Sequence, residues 1–216
     1  MSTKALTFDT FSASNVVIEA EDYNLEAGQF INNPAPQPEG SGPDSTGYAN
    51  QSGVAGVDFF DTRDVPRFQD APWRPADPVR MARSLDRGRA KHTTAGGATA
   101  GVYDYVVGDI ATGEWLNYTR TIPAGTYEIY LRQSVANLAA GESALERVTG
   151  DRTQPDQATQ ALGSFLGTRT GFIFRNVPLT DGSGTQKAVV RFNGIGTLRL
   201  RHVTPDAEDG SRYLNY

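Results

Sequence analysis

An all-β sandwich, one domain with long loops, is the fold class the sequence predicts, and three observations carry the prediction. Apolar residues recur with period two far more often than with the period of a helix. Glycine and proline, 23 and 12 of 216 residues, punctuate the apolar runs and supply the backbone angles that turns require. Only one short stretch, 157–162, has weak helical character. Many short strands between Gly/Pro-rich turns bury themselves best as two packed sheets.

The elements follow in order. Residues 1–14 are read as an N-terminal extension, and the domain as 15–216. Strands are predicted at 16–21, 55–60, 102–106 and 115–120, and Trp115 is expected to fill the interior. Thr126-Tyr127-Glu128-Ile129-Tyr130-Leu131-Arg132 is the clearest strand, with Tyr127, Ile129 and Leu131 on one face and Glu128, Tyr130 and Arg132 on the other. Pro123-Ala124-Gly125 reads as the turn before it. A further strand is expected at 171–177. Residues 187–192 and 198–201 form a predicted hairpin about the turn Asn193-Gly194-Ile195-Gly196. Two segments, 31–51 and 62–100, read as long irregular loops. The first holds four prolines, and the second is rich in Arg and Asp of mixed sign and carries Phe68 and Trp73.

Composition excludes several functions. With no cysteine there is no disulfide, thiolate nucleophile or Cys-ligated zinc, and His92 and His202 are too few for a His-rich metal centre. A formal net charge of −5 provides no positive field for nucleic acid or anionic membranes. Apolar runs of four or five residues are too short to span a membrane, and the Met1-Ser2-Thr3-Lys4 start is not expected to carry an export signal. No G-x-S-x-G elbow, P-loop or H-E-x-x-H motif occurs, so the expectation is that the chain is not an enzyme.

Val17-Ile18-Glu19-Ala20-Glu21-Asp22-Tyr23 is the most informative stretch. On an extended strand Glu19 and Glu21 project to one face about 7 Å apart. A hard cation such as Ca2+ would relieve their repulsion, and a solvated pair is the other reading.

With this stretch the chain resembles the lectin-like, jelly-roll carbohydrate-binding modules of family 6 and the related family 35, which open on a strand of the form E-A-E-x-Y. Gly113-Glu114-Trp115-Leu116-Asn117-Tyr118-Thr119 followed by Ile122-Pro123-Ala124-Gly125-Thr126-Tyr127 is similar to their G-[DE]-W-x-x-Y-T strand and its proline turn. Gly56 to Thr62, Trp73 to Val79, Leu162-Gly163-Ser164-Phe165 and Tyr213-Leu214-Asn215-Tyr216 extend the similarity over residues 16–216. The resemblance implies a jelly-roll β-sandwich with a structural Ca2+ held by Glu19, Glu21 and a last-strand residue. Here that last position is Asn215, where the family usually has Asp.

The resemblance further implies a sugar cleft of two aromatic side chains and an asparagine among the loops at one end of the sandwich. Carried over, these positions fall at Asp109, at Ile173 with Phe172 and Phe174 beside it, and at Tyr213. A remodelled cleft is therefore expected, using Asp109, Phe172 and Tyr213 with the loop aromatics Trp73 and Tyr48. The expected function is non-catalytic recognition of a polysaccharide or oligosaccharide, at an extracellular or cell-surface location, with calcium in place of disulfides. The alternative is a structural or adhesive subunit of a surface assembly, contacting copies of itself or an adjoining domain through the mixed-charge loop.

Overall fold

The computed structural model describes residues 15–32, 47–48, 50–62, 74–83, 105–136, 140–204 and 214–216. Ten strands run through them: β1 Phe59–Phe60, β2 Met81–Arg83, β3 Tyr105–Val107, β4 Trp115–Glu128, β5 Tyr130–Val135, β6 Ala140–Val148, β7 Thr159–Thr168, β8 Arg175–Thr180, β9 Val189–His202 and β10 Leu214–Asn215. The described residues contain no helix, so the all-β prediction holds.

Eight strands form one antiparallel sheet in the order β1-β4-β9-β6-β7-β8-β5-β10. Val107 and Tyr216 exchange both backbone hydrogen bonds, at 3.1 and 2.9 Å, so the β2–β3 pair continues the sheet beyond β10. The sheet curls so that its apolar face closes on itself. Phe59 of β1 shares a core with Met81 and Val107 of the opposite edge and with Leu145, Phe165 and Leu200 between them. Alternation supplies this face: on β4, Leu116, Tyr118 and Ile122 point inward, and Leu116 and Tyr118 lie opposite Leu200 and Leu198 of β9. Each such leucine contributes about 1.5–3 kcal/mol by leaving water.

The other face of β4 is also covered, and polar groups bond across it. Asn24 donates from Nδ2 to Thr119 Oγ1 at 2.9 Å and accepts from the Thr119 N–H at 2.7 Å. Asn117 donates to the Val57 carbonyl at 2.7 Å and accepts from Arg199 Nε at 3.0 Å. Trp115 lies on this outer face rather than in the interior, because its neighbour Leu116 takes the inward position. Its ring stacks beside Phe60 with centroids 6.5 Å apart, and the Arg199 guanidinium lies 3.7 Å from its centroid.

Four local predictions are corrected. Residues 16–21 form no strand, and the Asp22 N–H closes a turn on the Glu19 carbonyl at 3.1 Å. Pro123-Ala124-Gly125 is not a turn between strands but a bulge inside β4, where the register shifts between Ile122 and Gly125. Proline has no N–H to give a ladder, and a bulge accommodates that. Asn193-Gly194-Ile195-Gly196 is likewise no hairpin turn, since β9 runs through it and Gly194 faces Ile122 beside that bulge. Residues 157–162 lead into β7. There the extra residue Leu162, left out of the pairing between Leu145–Gly163 and Glu146–Ala161, breaks the alternation and imitates helical spacing.

Candidate ligand cleft

A cleft of about 660 Å³ opens between the curled faces of the sheet. Its origin is the strand switch at Ile129. Up to Glu128 the chain pairs with β9, opposite Val189, and from Tyr130 it pairs with β8, opposite Pro178. Residues 127–132, from both alternating faces, line the cleft where the strand partners diverge. The segment 15–21 forms a second wall with Val16, Val17, Glu19 and Glu21. The Tyr118 hydroxyl fixes that wall by donating to the Ala20 carbonyl at 2.9 Å. Leu145, Phe165, Phe192 and Leu198 contribute apolar surface, and Glu128, Tyr130, Arg132, Phe174 and Asn176 are among the other lining residues.

Aromatic rings dominate the polar-tipped side chains, and most hydroxyls are already committed. Tyr127 donates to the Pro123 carbonyl at 2.9 Å and packs edge-on against Phe192. Tyr130 donates to Glu128 Oε2 at 2.7 Å and accepts from Lys187 Nζ at 2.7 Å. The hydrogen bonds from Tyr130 and Lys187 hold the Glu128 carboxyl below the usual range, and bonds to Tyr130 and Glu128 hold the Lys187 ammonium above its usual value. Tyr216 meets Ser143 through their hydroxyls, and burial pushes the phenols of Tyr118 and Tyr216 up.

The described residues among those expected from sequence for a sugar cleft lie apart from this one. Asp109, at φ 59° between β3 and β4, lies 3.8 Å from Arg80 and is not part of the cleft lining. Phe172 stands 67% exposed at the β7–β8 turn, and Phe174, two residues on, is the aromatic that enters the cleft. Tyr48 is wholly buried. Its hydroxyl accepts from the Ile31 N–H and from Arg120, both at 2.8 Å, and the Arg120 guanidinium lies 5.2 Å from its ring centroid. A ring so enclosed has no face for a sugar, so Tyr48 is a loop anchor instead. Trp73 and Tyr213 lie outside the described residues.

Glu19 and Glu21 do share a location, both lining the cleft. Asn215 is placed differently. Its Nδ2 donates to Ser134 Oγ at 3.2 Å, and its Oδ1 packs on Gly108. Tyr216, the next residue, lines the cleft, so in an extended chain Asn215 points the other way. Of the three expected calcium ligands, Glu19 and Glu21 line the cleft and Asn215 is bonded to Ser134.

Tyr127, Tyr130 and Asn176 are cleft-lining residues that sequence reasoning passed over, while Phe174 stands among its alternatives for the second aromatic. The alternation of 127–131 was visible, but an inward apolar face reads as core whether or not it stays open. Scanned against models of known protein families the chain has no match, and no curated protein matches it.

Proposed function

We propose that this domain is a non-catalytic carbohydrate-binding module of the jelly-roll β-sandwich class, working outside the cell, and that its saccharide lies in the cleft beside 15–21. The observation that carries the reading is the composition of that cleft: tyrosine and phenylalanine rings with three carboxylates, two amides and a guanidinium. A pyranose packs its C–H face on an aromatic plane, and a few placed polar groups read its hydroxyls. Its size lies in the range of sites that enclose a small ligand, about 300–1,000 Å³. A Ca2+ ion is not needed for this reading. If one is bound, Glu19 and Glu21 would serve it without Asn215.

Calorimetric titration with soluble oligosaccharides tests the proposal. Binding of at least one member, weakened at least about tenfold in Tyr130→Ala, is the expected result. A folded protein that binds none overturns it.

A second reading, as an adhesive or structural subunit, is favoured by one feature. Phe172 and Ile173, adjacent at the β7–β8 turn, are 67% and 59% exposed, as side chains of a partner contact would be. Size exclusion at rising concentration separates the two. Self-association abolished by Phe172→Ser supports this second reading.

A further inference from the structure

We infer that Lys187, which stands outside the cleft lining, is a positioning residue that holds the Tyr130 ring in place for the saccharide. The inference rests on the reading of the cleft as a saccharide site and assigns part of its affinity to a side chain that touches no sugar.

Tyr130 lines the cleft and is half-exposed. It stands where the strand partners part, since the pairing with β9 ends at Glu128 and the pairing with β8 starts at Tyr130, opposite Pro178. Lys187 precedes β9 by two residues and bridges to Thr180, the last residue of β8. From there its Nζ donates to the Tyr130 hydroxyl at 2.7 Å and to Glu128 Oε2 at 3.0 Å. The same Oε2 accepts from the Tyr130 hydroxyl at 2.7 Å. Three side chains thus close a ring of hydrogen bonds across the divergence.

A half-exposed tyrosine has several rotamers open to it, and ordering such a side chain during binding costs affinity. Here the hydroxyl is held from two sides, and both bonds are charge-assisted. The bonds from Tyr130 and Lys187 keep the Glu128 carboxyl below its ordinary value, and those to Tyr130 and Glu128 keep the Lys187 ammonium above its own. Both charges therefore persist through the neutral range. The ring is presented as a fixed plane for the C–H face of a pyranose before the saccharide arrives. For the fold the same contact matters little, because the Lys187 and Glu128 side chains are half-exposed and exposed ion pairs stabilise weakly.

The test is calorimetric titration of the whole chain with neutral oligosaccharides of gluco, xylo, manno and galacto configuration. It is run on the protein, Lys187→Met, Tyr130→Phe and the double variant. Lys187→Met is expected to weaken binding about three- to tenfold at an unchanged urea midpoint. Tyr130→Phe keeps the ring but lacks the hydroxyl that Lys187 holds, so in that background Lys187→Met is expected to cost nothing further. Lys187→Arg, which keeps the charge and the donors, is expected to bind better than Lys187→Met. Undiminished affinity in Lys187→Met overturns the inference while leaving the saccharide reading in place. An equal loss in the Tyr130→Phe background does the same, as does a loss that comes with a lowered urea midpoint, which would mark a structural role. No binding of any of these saccharides by the unaltered protein overturns both.

Discussion

The guanidinium of Arg74 meets the carboxylate of Asp77 at 3.1 Å with both side chains withdrawn from solvent, 0% and 2% exposed. The pair ties together loops distant in sequence. Arg74 donates to the carbonyls of Tyr23, Asn24 and Gln51, while Asp77 accepts from the Tyr23 hydroxyl and from the Gly53 N–H. Removing one partner leaves the other buried without its counter-charge. Asp77→Ala is therefore expected to cost about 3–5 kcal/mol, read as a lowered urea midpoint at unchanged slope. A cost below about 1 kcal/mol would show that the loops do not depend on the pair.

Gly194 gives a backbone prediction. Its φ of 93° lies in the left-handed region, and a Cβ there would meet nothing within 4 Å. Any cost of Gly194→Ala is therefore conformational, about 1–2 kcal/mol. Gly196→Ala has no such angle and would make only ordinary contact, with Phe192 at 3.9 Å. Chemical denaturation of the two variants should separate them clearly, and equal midpoints would contradict a conformational cost at the positive φ of Gly194.

Asp58 gives a pH prediction. Burial pushes its carboxyl above the ordinary value of 3.8, against the lowering effect of backbone N–H groups of Val54, Gly28 and Ala27. The folded protein thus takes up this proton before the unfolded chain does. Stability from protonation is present below 3.8 and is lost as pH rises through the higher folded value. Relative to Asp58→Asn, the protein should gain stability as pH falls from neutral to below 3.8, measured by urea unfolding at several pH values. A relative loss over the same interval would reverse the sign and the account.

Calcium provides a fourth prediction. With the Asn215 amide bonded to Ser134, excess EDTA should leave the melting temperature unchanged. A drop restored by Ca2+ and absent in Glu19→Gln would show that an ion binds the two glutamates.

These particulars show what was legible in the sequence. Alternation is a local property, so the inward face of 127–131 could be read directly. The bulge at Pro123 and the pairing of Gly194 with Ile122 could not, because each is defined by the strand opposite, and both residues serve equally well in turns. No strand is predicted at residues 140–148, AGESALERV, whose Ala, Leu, Glu and Arg favour helices. Tertiary pairing with β7 and β9 overrides that preference. Of the site, Glu19 and Glu21 were found as a pair, while Tyr48 was misplaced because nothing local signals that Arg120 encloses its ring. An open interior is a non-local property as well, set by where β4 leaves one partner and β5 takes another.

The central claim, that the cleft between the curled faces holds a saccharide, is tested most directly by amide chemical-shift mapping with a bound oligosaccharide. The account predicts shifts concentrated at Glu19, Tyr127, Tyr130, Phe174 and Asn176. Shifts confined to Phe172–Ile173 or to Asp109, with those five residues unmoved, would contradict it.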